Sequence, residues 1–289
     1  MSATTSTRAA GVLALALLAA LAGCSRDDAA PATGAPATAD TGVPPPDPEP
    51  AGPVELEDVS EVDSAYVIGI SQAPSAERYP GLAAAMAAYA DEARAELMEA
   101  VQSRTSGDGD PSAPMYDLSL TFSEVLVTPN VVAYAADGST YTGGAHGIPL
   151  VARFVWLPPQ RRMLTAQRLV PEPGGWDGIA GYAREQLGEQ LHARLADAGL
   201  EPAEHESRLR TGIEMIEEGT TPGPEDFALF EPLPGDQGRL SGLRFVFPPY
   251  QVGPYSDGMQ QVEVPAPVLL PSVAPELRVL FEGGEGRDA

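Results

Sequence analysis

The chain has 289 residues, enough for one large or two modest domains. It carries 41 Asp+Glu against 17 Lys+Arg, all of them Arg, for a formal net charge of −24. That balance argues against a nucleic-acid partner and against electrostatic docking on anionic lipid. The one cysteine, Cys24, excludes an internal disulfide, a zinc cage and an iron–sulfur site.

Residues 1–23 read as a lipoprotein signal peptide. Arg8 is the positive charge of a short n-region, and Gly11–Leu21 is an apolar h-region. That run is shorter than the roughly 20 residues needed to span a bilayer. Leu21-Ala22-Gly23-Cys24 resembles the lipobox of bacterial lipoproteins. The resemblance implies cleavage before Cys24 and a lipid thioether on its sulfur. The expected partner there is a lipid bilayer, and Ser25 after Cys24 favours the outer membrane facing the periplasm. Residues 24–54 read as a Pro/Ala-rich tether, locally polyproline II at Pro44-Pro45-Pro46. Such a segment buries too little surface to fold and acts as a semi-stiff spacer.

The folded body is expected from residue 55. Ser64–Ser71 is strand-like. After Tyr79-Pro80, residues Leu82, Met86, Tyr89, Ala93, Leu97 and Val101 mark one stripe of a helix. The helix is expected to stop in Ser106–Pro111, an acidic loop without the ligand spacing of a calcium site. Met115–Leu126 alternates, with Tyr116, Leu118, Leu120 and Phe122 on one face. Val131–Ala136 and Ser139–Thr142 flank Asp137-Gly138, which reads as a hairpin turn. Leu150–Leu157 is a strand, and Arg162–Leu169 is expected to pair with it across Pro158-Pro159. Ile179, Ala183, Leu187, Leu191 and Leu195 predict a second helix ending at Gly199. Leu209, Ile213 and Ile216 predict a third, ending at Gly219. Phe227–Phe230, Leu243–Phe247 and Val262–Val264 read as strands. The expected fold is α+β, with a mainly antiparallel sheet and two to three packed helices.

Standard catalytic signatures are absent: no Gly-x-Ser-x-Gly elbow, no P-loop and no His-Glu-x-x-His. The histidines are His146, His192 and His205, and their spacing supports no metal site. No cofactor and no catalytic residue is assigned. Two segments stand out. One is Tyr141-Thr142-Gly143-Gly144-Ala145-His146-Gly147, whose paired glycines permit positive φ and whose histidine can fix the turn. The other follows Phe247, with Tyr250, Pro254, Tyr255 and Gly258 in an aromatic, proline-rich loop.

The order Tyr-x-Gly-Gly-Ala-His, a Leu-rich helical pair, then Phe-x-Phe-x-x-Tyr-x-x-x-Pro-Tyr-x-x-Gly resembles a paired extracytoplasmic module. It is the module of RsiV, a lysozyme-binding anti-sigma factor, and of the region preceding the catalytic domain in the peptidoglycan deacetylase PdaC. The likeness covers roughly residues 56–270. It implies a PdaC N-terminal-like subdomain over 55–160, an RsiV-like subdomain over 161–275, and a C-terminal strand and tail over 276–289. Carried over residue by residue, the motifs are Tyr141, Gly143, Gly144, Ala145 and His146, then Phe245, Phe247, Tyr250, Pro254, Tyr255 and Gly258. The lipobox stands where the anti-sigma factor has its cytoplasmic segment and spanning helix, and the deacetylase catalytic domain has no counterpart. The expected function is therefore a non-catalytic binding module for a cell-wall-associated ligand, a lysozyme-like cationic protein or peptidoglycan. The alternatives are a carboxylate-based peptidoglycan enzyme or a structural lipoprotein.

Overall fold

The computed structural model describes residues 52–105 and 114–285. Cys24, the tether up to residue 51 and the acidic loop at 106–111 lie outside the described residues. Two antiparallel strands open the fold, β1 (Val59–Val62) and β2 (Tyr66–Ser71). Helix α1 (Pro80–Thr105) follows, with the proline at its first position, where a missing N–H costs nothing. Its expected stripe faces inward: Leu82, Met86, Ala93, Leu97 and Val101 are buried, with Tyr89 packed beside them.

The chain then lays down β3 (Tyr116–Val127), β4 (Val132–Tyr141), β5 (Ile148–Leu157) and the two-residue β6 (Arg162–Met163). The six strands form one sheet in sequence order. Only β2 and β3 pair parallel, because α1 connects them as a crossover. Phe122 and Phe154 bury on the α1 side, where Tyr89 meets both ring edges at 6.5 and 6.0 Å. The opposite face of β4 and β5 contributes Ala133, Val155 and Leu157 to a second core, joined by Val131 just before β4.

That second core holds α2 (Ala166–Leu169), α3 (Trp176–Asp197), α4 (Pro202–Glu218), a three-stranded sheet of β7 (Phe230–Pro234), β8 (Leu240–Phe247) and β9 (Gln260–Pro265), and α5 (Ala266–Leu269). Gly199 and Gly219 stand just past the ends of α3 and α4, as the periodicity predicts. Trp176 stacks on Phe227 at 5.4 Å, and Phe245 and Phe247 meet Phe227 edge-on at 5.1 and 5.8 Å. The fold is α+β with mainly antiparallel sheet, as expected.

Four local expectations are corrected. Asp137-Gly138 is not a turn; both residues lie inside the continuous strand β4. Gly138 sits against the Ser119 carbonyl, which a β-carbon would overlap, and Asp137 bonds Arg153 instead of folding back. The β3–β4 turn lies earlier, where Thr128 brackets Pro129-Asn130 by bonds to Val131. Arg162–Leu169 is extended only at β6, because Thr165 caps α2 by accepting from Arg168 N at 3.3 Å. Phe227 sits in a turn under Trp176, and the strand starts at Phe230. In place of a strand after 276, Pro275–Leu280 is a 3-10 segment and Phe281 makes a single bridge to Leu240.

Candidate functional site

Strand β4 ends at Tyr141, and the chain reverses through two glycines. Gly143 and Gly144 have φ of +108° and +98°, which side chains rarely tolerate. Tyr141 closes this reversal by donating its hydroxyl to the Gly144 carbonyl at 3.1 Å. His146 follows, exposed. Its Nδ1 lies 3.0 Å from the Gly147 carbonyl. A carbonyl only accepts, so Nδ1 carries the proton and Nε2 of the neutral ring is left as an acceptor.

The second motif leaves β8 at Phe247, whose side chain is fully buried. Pro248 and Pro249 then steer the chain outward to Tyr250, which has a φ of +76° although it bears a large side chain. Tyr250 N donates to the Gly253 carbonyl at 3.0 Å, and Gln251 N donates to Pro248 at 3.1 Å. These bonds hold the unfavourable backbone in place. The loop is pinned from beneath as well. Gln251 Nε2 donates to the carbonyls of Gly219 and Asp226, both at 2.9 Å. Arg194 of α3 donates to Gln260 Oε1 at 2.9 Å and reaches Asp257 at 3.4 Å. Pro254 leads into the single turn Tyr255–Asp257, and Gly258, with φ +68°, lets the chain enter β9.

The two motifs meet. The Tyr250 hydroxyl lies 2.9 Å from His146 Nε2, and donates to it in the tautomer fixed by Gly147. The His146 ring stacks on Tyr255 at 4.0 Å with 18° between planes. Tyr250 and Tyr255 lie 5.6 Å apart, centroid to centroid. Tyr250 remains 56% exposed, so this is a surface platform and not a core. Beside it runs a groove of about 290 Å³ lined by Ser139, Pro149, Val151, Pro249, Tyr255 and Met259, with Asp137. A larger cleft of about 420 Å³ lies between α3, α4 and the loop, floored by Leu191, Leu195, Met215 and Val252.

The expected site residues thus separate by what they touch. His146, Tyr250 and Tyr255 are brought together at the surface. Tyr141, Gly143, Gly144 and Gly258 shape the two turns, and Pro254 is an exposed residue on the rim of the larger cleft. Phe247 belongs to the aromatic core. His192 is exposed and distant in role, and His205 is half-exposed on α4. Among the described residues no cluster of His, Cys, Asp and Glu is arranged to hold a metal ion. No described helix is long and apolar enough to cross a membrane.

A feature that motif reasoning missed runs behind the groove. The Arg153 side chain, 2% exposed, bonds Asp137 at 2.9 Å and Glu231 at 2.6 Å. Glu231 also bonds Arg244 at 3.1 Å, and Arg244 bonds Glu263 at 2.6 Å. Bonds from Glu263 and Glu231 hold the Arg244 guanidinium above its already high ordinary value. Five charges therefore cross from β4 and β5 to β7, β8 and β9, tying the two sheets together. The available signal was a single charge inside an apolar run, Arg153 in Leu150–Leu157 and Glu231 in Phe230–Pro234.

The segment from Leu240 to Ala266 contains β8, the Tyr250–Gly258 loop and β9. Residues 240–266 match DUF3298, a family of proteins of unknown function. The DUF3298 match therefore covers the second motif and leaves the Gly-Gly-Ala-His turn outside it. The chain is also similar to two solved structures. A DUF3298 family protein from Pseudomonas aeruginosa PAO1 is 18% identical, with a TM-score of 0.42, over 81% of this chain and 97% of that one. A DUF3298 family member from Bacteroides fragilis is 18% identical, with a TM-score of 0.42, over 77% of this chain and 94% of that one. No curated protein matches the chain.

Proposed function

We propose that this protein is an envelope lipoprotein, held on a bilayer by acylated Cys24 and exposing a non-catalytic binding module to the periplasm. Its DUF3298 segment would serve as the ligand-binding half of an RsiV- and PdaC-like module. The ligand is cell-wall-associated, either a lysozyme-like cationic protein or peptidoglycan. The observation that carries the reading is Tyr250. A large aromatic held at positive φ, more than half exposed and hydrogen-bonded to a histidine from another strand connection, is costly to maintain without a partner. Exposed tyrosines supply rigid contact area at low entropic cost. The net charge of −24 would draw a cationic partner by long-range field.

Immobilised lysozyme and insoluble cell-wall sacculi, each incubated with the full chain at low and moderate salt, test the proposal. Retention on one of them, reduced by Tyr250→Ala, is expected. Absence of retention on both matrices at both salts overturns it. Metabolic labelling with a palmitate analogue tests the anchor, with label expected on the wild type and lost in Cys24→Ser.

A further inference from the structure

The groove beside Tyr255 lies on the sheet face opposite α1, beyond the part of that face where Ala133, Val155 and Leu157 pack into the second core. Strand register defines that face. Ser139 pairs with Ser119, and Asp137 with Thr121. Parallel β2 places Gly69 beside Ser119 and Ser71 beside Thr121. On the other flank, Ser139 pairs with Pro149 and Asp137 with Val151. Side chains alternate across a strand, so these residues share one face while Leu118, Leu120 and Ala136 point to α1. The result is two rows, Gly69–Ser119–Ser139–Pro149 and Ser71–Thr121–Asp137–Val151. Each crosses four strands, about 14 Å at ordinary strand spacing.

The chemistry grades along each row. Gly69, Ser71, Ser119 and Thr121 are exposed, small and, glycine aside, hydroxyl-bearing. At the β5 end the rows meet the groove walls Pro249, Tyr255 and Met259. Hydroxyls donate and accept, and an aromatic wall packs the apolar face of a flat ligand. Charge points the same way. In a chain of net charge −24, the groove holds one carboxylate, Asp137, and that carboxylate is ion-paired with the buried Arg153. A cationic side chain finds no free charge there, whereas an uncharged, hydroxyl-rich ligand finds matching groups.

We infer that this face binds an uncharged oligosaccharide, with one ring against Tyr255 and its hydroxyl or acetamido groups bonded to Ser139, Ser119, Thr121 and Asp137. The inference rests on the binding-module reading and selects the glycan over the protein as its ligand.

The test is calorimetric titration of the full chain with a tetramer of β-linked N-acetylglucosamine. Saturable binding is expected, weakened about tenfold or more by Tyr255→Ala and by Thr121→Arg. Val279→Ser, in the 3-10 segment Pro275–Leu280 and 46% exposed, is expected to bind like the wild type. Unchanged thermal melting of Thr121→Arg shows that the fold is intact. Absence of saturable binding overturns the inference, as does binding that neither site variant weakens. If the tetramer fails while Tyr250→Ala still reduces retention on lysozyme or sacculi, the glycan assignment falls and the binding module stands. If Tyr250→Ala changes no retention while the tetramer binds with the expected variant pattern, the glycan site stands without the platform.

Discussion

His146 and Tyr250 are 104 residues apart in sequence and lie 2.9 Å apart in the fold. The bond joins the turn after β4 to the loop after β8, so it reports on whether the two motifs form one surface. Both residues are exposed, so the bond adds little to stability. His146→Phe keeps the stacking on Tyr255 and removes the acceptor. It is expected to change unfolding free energy by about 0.5–1 kcal/mol or less, read by urea denaturation. Retention on the ligand matrix is expected to fall well beyond what that loss explains, because Tyr250 loses its orienting partner.

Arg153 predicts the opposite pattern. Its side chain is 2% exposed, and Glu231, its partner, is 9% exposed. Arg153→Met leaves Glu231 with one partner, Arg244, and a buried carboxylate short of compensation. A loss of about 3–5 kcal/mol is expected, from the cost of an uncompensated buried charge. Arg153→Met combined with Glu231→Leu is expected to recover part of it. A double variant no more stable than Arg153→Met would show that the sheets are held by packing and not by this line of charges.

Gly138 shows where local reading and register part company. Asp-Gly favours a two-residue turn, and Asp137-Gly138 sits between the strand-like runs Val131–Ala136 and Ser139–Thr142. The structure instead runs β4 straight through it, because ladder bonds to β3 and β5 extend on both sides. The glycine is needed for its missing β-carbon against the Ser119 carbonyl, a contact from another strand that local sequence does not display. Gly138→Ala is expected to cost about 1–3 kcal/mol, the range for overpacking, as a lowered melting temperature. Helix α1 was legible because its stripe is periodic in one segment. The Gly-Gly-Ala-His turn and the Tyr250 loop were legible as local oddities. Their meeting was not, since it depends on α3, α4 and a second sheet returning the chain over 100 residues later.

Alkaline pH tests the first core. Burial pushes the Tyr89 hydroxyl above its ordinary value of 10.0, helped by the negative field of Asp137, Glu92 and Glu96. A group whose folded pKa is raised holds its contribution below the unfolded pKa. That contribution is lost as pH rises through the folded pKa. Stability is therefore expected to be level through neutral pH and to fall above about pH 10. Tyr134, whose hydroxyl bonds Ser75 at 2.6 Å, is also shifted upward by burial and adds to the fall. Tyr89→Phe is expected to make the decline shallower in pH-dependent urea titrations. An identical decline in the variant would assign the alkaline loss elsewhere.

Tyr250 offers the sharpest separation of fold from binding. Its φ of +76° is costly for any residue with a β-carbon, by about 1–2 kcal/mol. Glycine pays no such cost but loses about 0.5–1 kcal/mol more chain entropy on folding. Tyr250→Gly is thus expected to be more stable than Tyr250→Ala by about 0.5–1 kcal/mol, measured by denaturation of both variants. Neither variant retains the ring or its hydroxyl bond to His146, so both are expected to lose ligand retention equally. Were Tyr250 only a fold determinant, retention would follow stability, and the glycine variant would outperform the alanine one. Equal loss of retention at unequal stability is the pattern of a residue kept in an unfavourable backbone geometry for what it touches outside the chain.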